Sequence, residues 1–174
     1  VEQTAGGLLV RGSDLTIEIR FRPWLLRFLD GAGEEVLAEN PDDVDGLGRP
    51  FILPLGYAQR KGAVTEISES FKLRPGEHLF GLGERFGALD KAGQRVVSWT
   101  QDALGSTSGR SHKNVPFLWS SRGYGLYIDS GARITWELGT TSCQSAIVRL
   151  EDLILDAYIL SGATPARILD RYAN

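Results

Sequence analysis

The sequence holds no methionine, one cysteine and two histidines in 174 residues. Cys143 alone excludes an internal disulfide and fits a reducing compartment, so the expected location is the cytoplasm. His78 and His112 are far apart and match no ligand spacing, so no transition-metal site is expected. Neither sits in an elbow or triad motif, which argues against a Ser-His hydrolase. No stretch approaches the roughly 20 apolar residues of a membrane span. A basic run is also missing. The 19 Lys and Arg against 22 Asp and Glu give a net charge of -3, and these charges are scattered, so nothing invites nucleic acid or an anionic membrane.

A nucleotide cofactor is not expected either. The stretch "HLFGLGERFG", His78 to Gly87, has glycines at 81, 83 and 87, but the third comes one residue late for a dinucleotide fingerprint. No Gly-Lys-Ser/Thr is present, and the following "ALDKAGQRVVSW" reads as a turn and a strand, whereas a phosphate cradle needs a helix start.

Abundant glycine and short apolar alternations point to an all-β chain. Leu15, Ile17 and Ile19 alternate with polar residues in "DLTIEIR", the period of a strand with one buried face. "WLLRFLD" and "EEVLAE" form a hairpin turning at Asp30-Gly31. In "AVTEISESF" the residues Val64 and Ile67 break strict alternation, which predicts a bulge. "QRVVSW", "VPFLWSS", "YGLYID", "RITWEL", "SAIVRL" and "LILDAYIL" complete the series of strands. So many one-sided strands are buried only by packing sheet on sheet, so the expected fold is a large antiparallel β-sandwich over residues 1–160. Residues 161–174 then supply a linker and a short C-terminal helix. It has Thr164 as N-cap, Pro165 at the first position, and Ile168, Leu169 and Tyr172 as its apolar residues. With Val1 first and the helix unclosed, the chain is expected to be a piece of a longer polypeptide.

Three features carry candidate chemistry. Asp42, Asp43 and Asp45 resemble part of a calcium loop but lack its closing glutamate, and a solvated loop is the simpler reading. The long break from Thr100 to Asn114 is the first place to look for function and is expected to be mobile. Glu84 and Asp102 are candidates for a glycosidase carboxylate pair. For Glu84 the competing reading is an ion pair with Arg85 that stiffens a turn. For Asp102 it is the first position of a type I turn in "DALG". Trp99, Gln101 and Asp102 together offer an indole face, an amide and a carboxylate, the groups that stack on a sugar ring and take its hydroxyl hydrogens. His112, between Ser111 and Lys113, reads as a solvent-facing loop histidine.

At these residues the chain resembles the N-terminal β-sandwich domain of glycoside hydrolase family 31, most like its bacterial α-xylosidases. "FGLGERFG", "SWTQD", "KNVPFLWSSRGYGLYID", "ELG" and "SGATPARILDRY" come in family order over Leu79 to Tyr172. Two departures stand out: His112 replaces the branch's usual aromatic residue, and Ala163 replaces a proline. The resemblance implies a galactose-mutarotase-like super-sandwich followed by a (β/α)8 barrel that carries both catalytic aspartates of a retaining mechanism. This chain is then expected to hold no catalytic residue. Asp102, with Trp99 and Gln101, would contact an oligosaccharide substrate, while Arg85 and Phe86 would lie at the barrel interface. The barrel is the expected partner, with a homo-oligomer also possible. The alternatives are a carbohydrate-binding or oligomerisation module, or a mutarotase-type epimerase.

Overall fold

Alternating sequence becomes sheet here because each strand has a neighbour to complete its backbone hydrogen bonds and a second layer to cover its apolar face. The computed structural model describes residues 1–41, 52–102 and 108–174. Asp42, Asp43 and Asp45 lie outside the described residues, as do the residues after Asp102 in the "DALG" turn.

Strands are numbered in chain order. The first sheet is an antiparallel meander of β1 (Glu2–Thr4), β2 (Gly7–Arg11), β3 (Thr16–Phe21), β4 (Trp24–Leu29) and β5 (Glu35–Ala38). The second runs in the order β6 (Leu55–Arg60), β7 (Ala63–Lys72), β13 (Ser145–Leu150), β12 (Ile134–Leu138), β9 (Gln94–Ser98). The third is β14 (Ala157–Ser161), β11 (Tyr124–Ile128), β10 (Phe117–Ser120), β8 (Leu79–Gly81). Every pairing in the three sheets is antiparallel.

One apolar cluster joins all three. Trp136, Leu138, Val148 and Leu150 come from the second sheet, Leu118 and Leu126 from the third, and Phe28 and Leu37 from the first. Burying each such side chain contributes about 1.5–3 kcal/mol, which is what makes the alternation decisive. Trp136 is fully enclosed and donates its indole N–H to Ser98 Oγ at 3.0 Å, so its one polar atom is satisfied. The polar face of the first sheet is tied across strands by Arg27, which pairs with Glu18 at 2.5 Å and Glu35 at 2.8 Å.

The hairpin turn falls where expected: Gly33 N–H donates to Asp30 O at 3.0 Å, and Gly33 has φ +84. The bulge is present too. Glu66 faces Ala58 and Val64 faces Gln59, leaving Thr65 as the extra residue. Four strands, β1, β2, β6 and β8, went unforeseen because they are short or carry no clean alternation. "LILDAYIL" is only half a strand: Leu153 and Ile154 are exposed, and pairing begins at Ala157, after Asp156 O has accepted from Asp129 N–H.

The helix α1 spans Pro165–Ala173, and the Thr164 side chain accepts from Arg167 N–H. Ile168 is buried and Tyr172 stacks on Phe117 with centroids 4.2 Å apart. Leu169, however, is exposed, because a neighbour in sequence is turned about 100° around the helix while the residue four along shares the face.

Candidate functional site

The three glycines of residues 78–87 serve different ends. Gly81 and Gly83 have φ +109 and +82, and a Cβ on either would lie 2.4 Å from Phe117 O or 2.0 Å from Lys113 O. They let the chain leaving β8 run close against residues 113–117, where Leu82 N–H donates to Phe117 O and Glu84 N–H to Lys113 O. Between them Leu82 is fully buried at φ +67, a left-handed conformation unusual for a side chain of its size. Gly87 has open space around its Cα.

This close approach aims Arg85 inward. Its guanidinium donates to Leu82 O at 3.0 Å, Gly109 O at 3.1 Å, Val97 O at 2.9 Å and Asn114 Oδ1. One side chain thus ties the β8 turn, the end of β9 and the C-terminal part of the long loop. The expected Glu84-Arg85 ion pair is not formed. Glu84 pairs with Lys113 at 3.1 Å, with both side chains largely exposed, because the neutral oxygens around Arg85 already take its donors. The described ends of the 100–114 loop are tied by further bonds. Ser111 Oγ donates to Glu84 O at 2.6 Å, Gln101 N–H to Ser111 O at 3.1 Å, and Asn114 Nδ2 to Ser111 O at 2.8 Å.

Four of the five residues singled out from sequence meet around one cleft of about 410 Å³: Arg85, Phe86, Trp99 and Gln101. Phe86 is 75% and Trp99 43% exposed, so both offer ring faces to a neighbour. Asp102 is outside the cleft lining. It is fully solvent-facing, with Oδ1 3.2 Å from His112 Nδ1. His112 is exposed, as read from its polar neighbours, and the pair sets Asp102 at the head of the loop. His78 is a structural residue: Nδ1 lies 2.6 Å from Asp90 Oδ2, and Asp90 also accepts from Leu79 and Ala92 N–H. Burial pushes the Asp90 carboxyl up, but the His78 bond and these two N–H groups outweigh it and hold it below its ordinary range. Among the described residues no group of three or more His, Cys, Asp or Glu side chains is placed to hold a metal ion, and no helix is long and apolar enough to cross a membrane.

The cleft also collects cations that sequence reading missed. Lys91, Arg95, Arg110 and Arg133 join Arg85 in its lining. They are spread over more than forty positions of the chain and form no local run, so no charge pattern in the sequence announces them. Lys91 is only 4% exposed, and burial followed by the Arg85 charge lowers its pKa.

Residues 1–137 match the model of the glycosyl hydrolase 31 N-terminal galactose mutarotase-like domain. The chain belongs to this family. An α-xylosidase, XylQ, of Lactiplantibacillus pentosus is 37% identical over 111 residues, 64% of this chain and 14% of that protein. An α-xylosidase of Emericella nidulans is 37% identical over 102 residues, 59% of this chain and 13% of that protein. The chain therefore spans a small fraction of the length of the curated relatives it matches. Among solved structures, the cycloalternan-forming enzyme of Listeria monocytogenes, in complex with a pentasaccharide substrate, superposes with a TM-score of 0.84 at 23% identity, over 99% of this chain and 16% of that one. That likeness is one of fold.

Within a glycosyl hydrolase 31 N-terminal domain, the Glu84 and Asp102 carboxylates are poorly suited to act as a catalytic pair. Glu84 lies against Lys113 and Asp102 against His112, both on the open surface. A general acid is normally tuned by a desolvated pocket, and neither group has one.

Proposed function

We propose that this chain is the non-catalytic N-terminal domain of a retaining α-glycosidase that acts on terminal α-xylosides or α-glucosides. The catalytic carboxylates belong to a (β/α)8 barrel elsewhere in the same polypeptide, and the Trp99–Asp102 segment lends that barrel sugar contacts. The observation that carries this reading is the grouping of Trp99 and Gln101 on one cleft with Asp102 at the loop head beside them. The α-xylosidase relatives, matched over part of this chain, support the choice of substrate class.

Each residue has a physical part to play. The Trp99 indole offers an apolar face to a sugar ring, the Gln101 amide both donates and accepts, and the Asp102 carboxylate accepts from hydroxyls. Such contacts select a substrate by as much as a few kcal/mol without moving a proton in the reaction. Phe86, with its exposed ring, and the Arg85 turn beside it form the surface that meets the barrel.

The test is release of p-nitrophenol from the α-xyloside and the α-glucoside by the 174-residue chain and by the longer polypeptide that contains it. Turnover by the long form alone is the expected result. Turnover by the short chain above a buffer blank overturns the reading and returns Glu84 and Asp102 to the catalytic role.

A further inference from the structure

The cleft on the outer side of β9 is lined by five cations, Arg85, Lys91, Arg95, Arg110 and Arg133, and by no carboxylate among the described residues. The chain as a whole is net acidic, so this concentration is local. Compensation of the five charges is thin. Arg95 and Arg133 have carboxylates only at 3.8 Å, from Glu137 and Glu151. Arg85 bonds neutral oxygens. Lys91, although buried, donates only to Ala88 O at 2.6 Å. The side chain of Arg110 makes no ion pair among the described residues, its one bond being from its backbone N–H to Ser108 Oγ.

Buried charges in folded proteins are normally paired. An ammonium withdrawn from water and facing a guanidinium is stabilised by any anion that enters, and a concave wall of one sign focuses the field on that anion. Burial lowers the pKa of both Lys91 and Arg85, and at Lys91 the neighbouring Asp90 charge offsets only part of this. Arg110 and Arg133 present planar donor forks suited to a carboxylate, phosphate or sulfate. Trp99 and Gln101 line the same cleft, so a sugar ring carrying such a group finds an indole face and an amide beside the charges.

We propose that this cleft binds the anionic group of an acidic glycan, with the carboxylate among the cations and the sugar ring against Trp99. The glycan half of this assignment rests on the sugar-contact reading of Trp99 and Gln101. The anion half stands on the charges alone, and the readout is binding, so a failed glycosidase assay leaves it intact.

Isothermal titration of the 174-residue chain with glucuronate, xylose and inorganic phosphate tests it, in low salt and again at about 0.5 M salt, where exposed charges are largely screened. Glucuronate is expected to bind more tightly than xylose or phosphate, and salt to weaken it. Arg110→Gln, on an exposed loop, is expected to lower the affinity about tenfold, the worth of one charge-assisted hydrogen bond. Lys91→Met is expected to do the same, provided its circular dichroism is unchanged. Equal binding of phosphate and glucuronate would remove the glycan half and leave a bare anion site. Binding by the short chain but not by the longer polypeptide would show that an acidic segment of the same protein fills the cleft, which also overturns the glycan assignment. No binding of either anion, or none lost in Arg110→Gln, would sink the proposal entirely.

Discussion

The carboxyl of Glu69 on β7 interacts with that of Glu39, and both side chains are closed off from water where the first and second sheets meet. Glu39 also accepts from Trp24 Nε1 at 3.2 Å and Leu26 N–H at 2.5 Å. Burial, then the Glu39 hydrogen bond and charge, push the Glu69 carboxyl up to about 10.

A carboxyl raised in the folded state contributes stability that is complete below its ordinary range and is lost as pH rises toward the folded value. The melting temperature is therefore expected to fall from about pH 5 to about pH 9, and to fall less in Glu69→Gln, which keeps the shape and the donor but cannot ionise. Each kcal/mol recovered at the alkaline end raises the melting temperature by about 2–4 °C in a domain of this size. Parallel curves for the two proteins would show that this pair does not set the alkaline limit.

The glycines separate by substitution. Gly83→Ala puts a methyl 2.0 Å from a backbone carbonyl at φ +82, so it is expected to cost more than the roughly 1–2 kcal/mol of a left-handed residue. Gly87→Ala meets nothing within 4 Å and is expected to change stability by less than about 0.5 kcal/mol. Urea unfolding of both variants decides it. Equal losses would mean that the two glycines share one role, as a phosphate loop would require.

Arg85 is expected to resist conservative exchange. Arg85→Lys cannot reach four acceptors on separate segments with one ammonium, so a loss of about 1.5–3 kcal/mol is expected. Lys113→Met, which breaks only the exposed pair with Glu84, is expected to cost less than about 1 kcal/mol. Amide exchange at residues 109–114 gives a local readout: faster exchange in Arg85→Lys and none in Lys113→Met. Similar exchange in both would remove Arg85 from its place as the tie between segments.

Asp102→Ala, made in the longer polypeptide, is expected to lower kcat/KM for an α-xyloside about 10- to 100-fold, the worth of one hydrogen bond to a charged group. Asp102→Asn, which keeps an acceptor, is expected to recover part of it. Unchanged kinetics in both would place Asp102 away from the sugar and leave the His112 pairing as its whole role.

Much of this fold was legible because its signals are local. Ile17 and Ile19 alternate, Asp30 and Gly31 turn, and Val64 to Ile67 slip register within a few residues, so backbone geometry alone connects cause and effect. Thr164 and Pro165 start α1 for the same reason. β6 was illegible because an exposed edge strand needs only one neighbour's hydrogen bonds and no apolar face to bury.

The candidate site divides along the same line. Sequence by itself pointed to an all-β chain, the family its ordered motifs resemble, and Asp102, Trp99, Gln101, Arg85 and Phe86 as residues worth watching. Only the tertiary structure decided that Arg85 turns away from Glu84 toward three carbonyls, that Asp102 faces His112, and that five cations converge on one cleft. Hydrogen bonds and Coulomb interactions act over a few ångströms of space, and the order of residues along a chain does not say which distant ones will come that close until the sheets have packed.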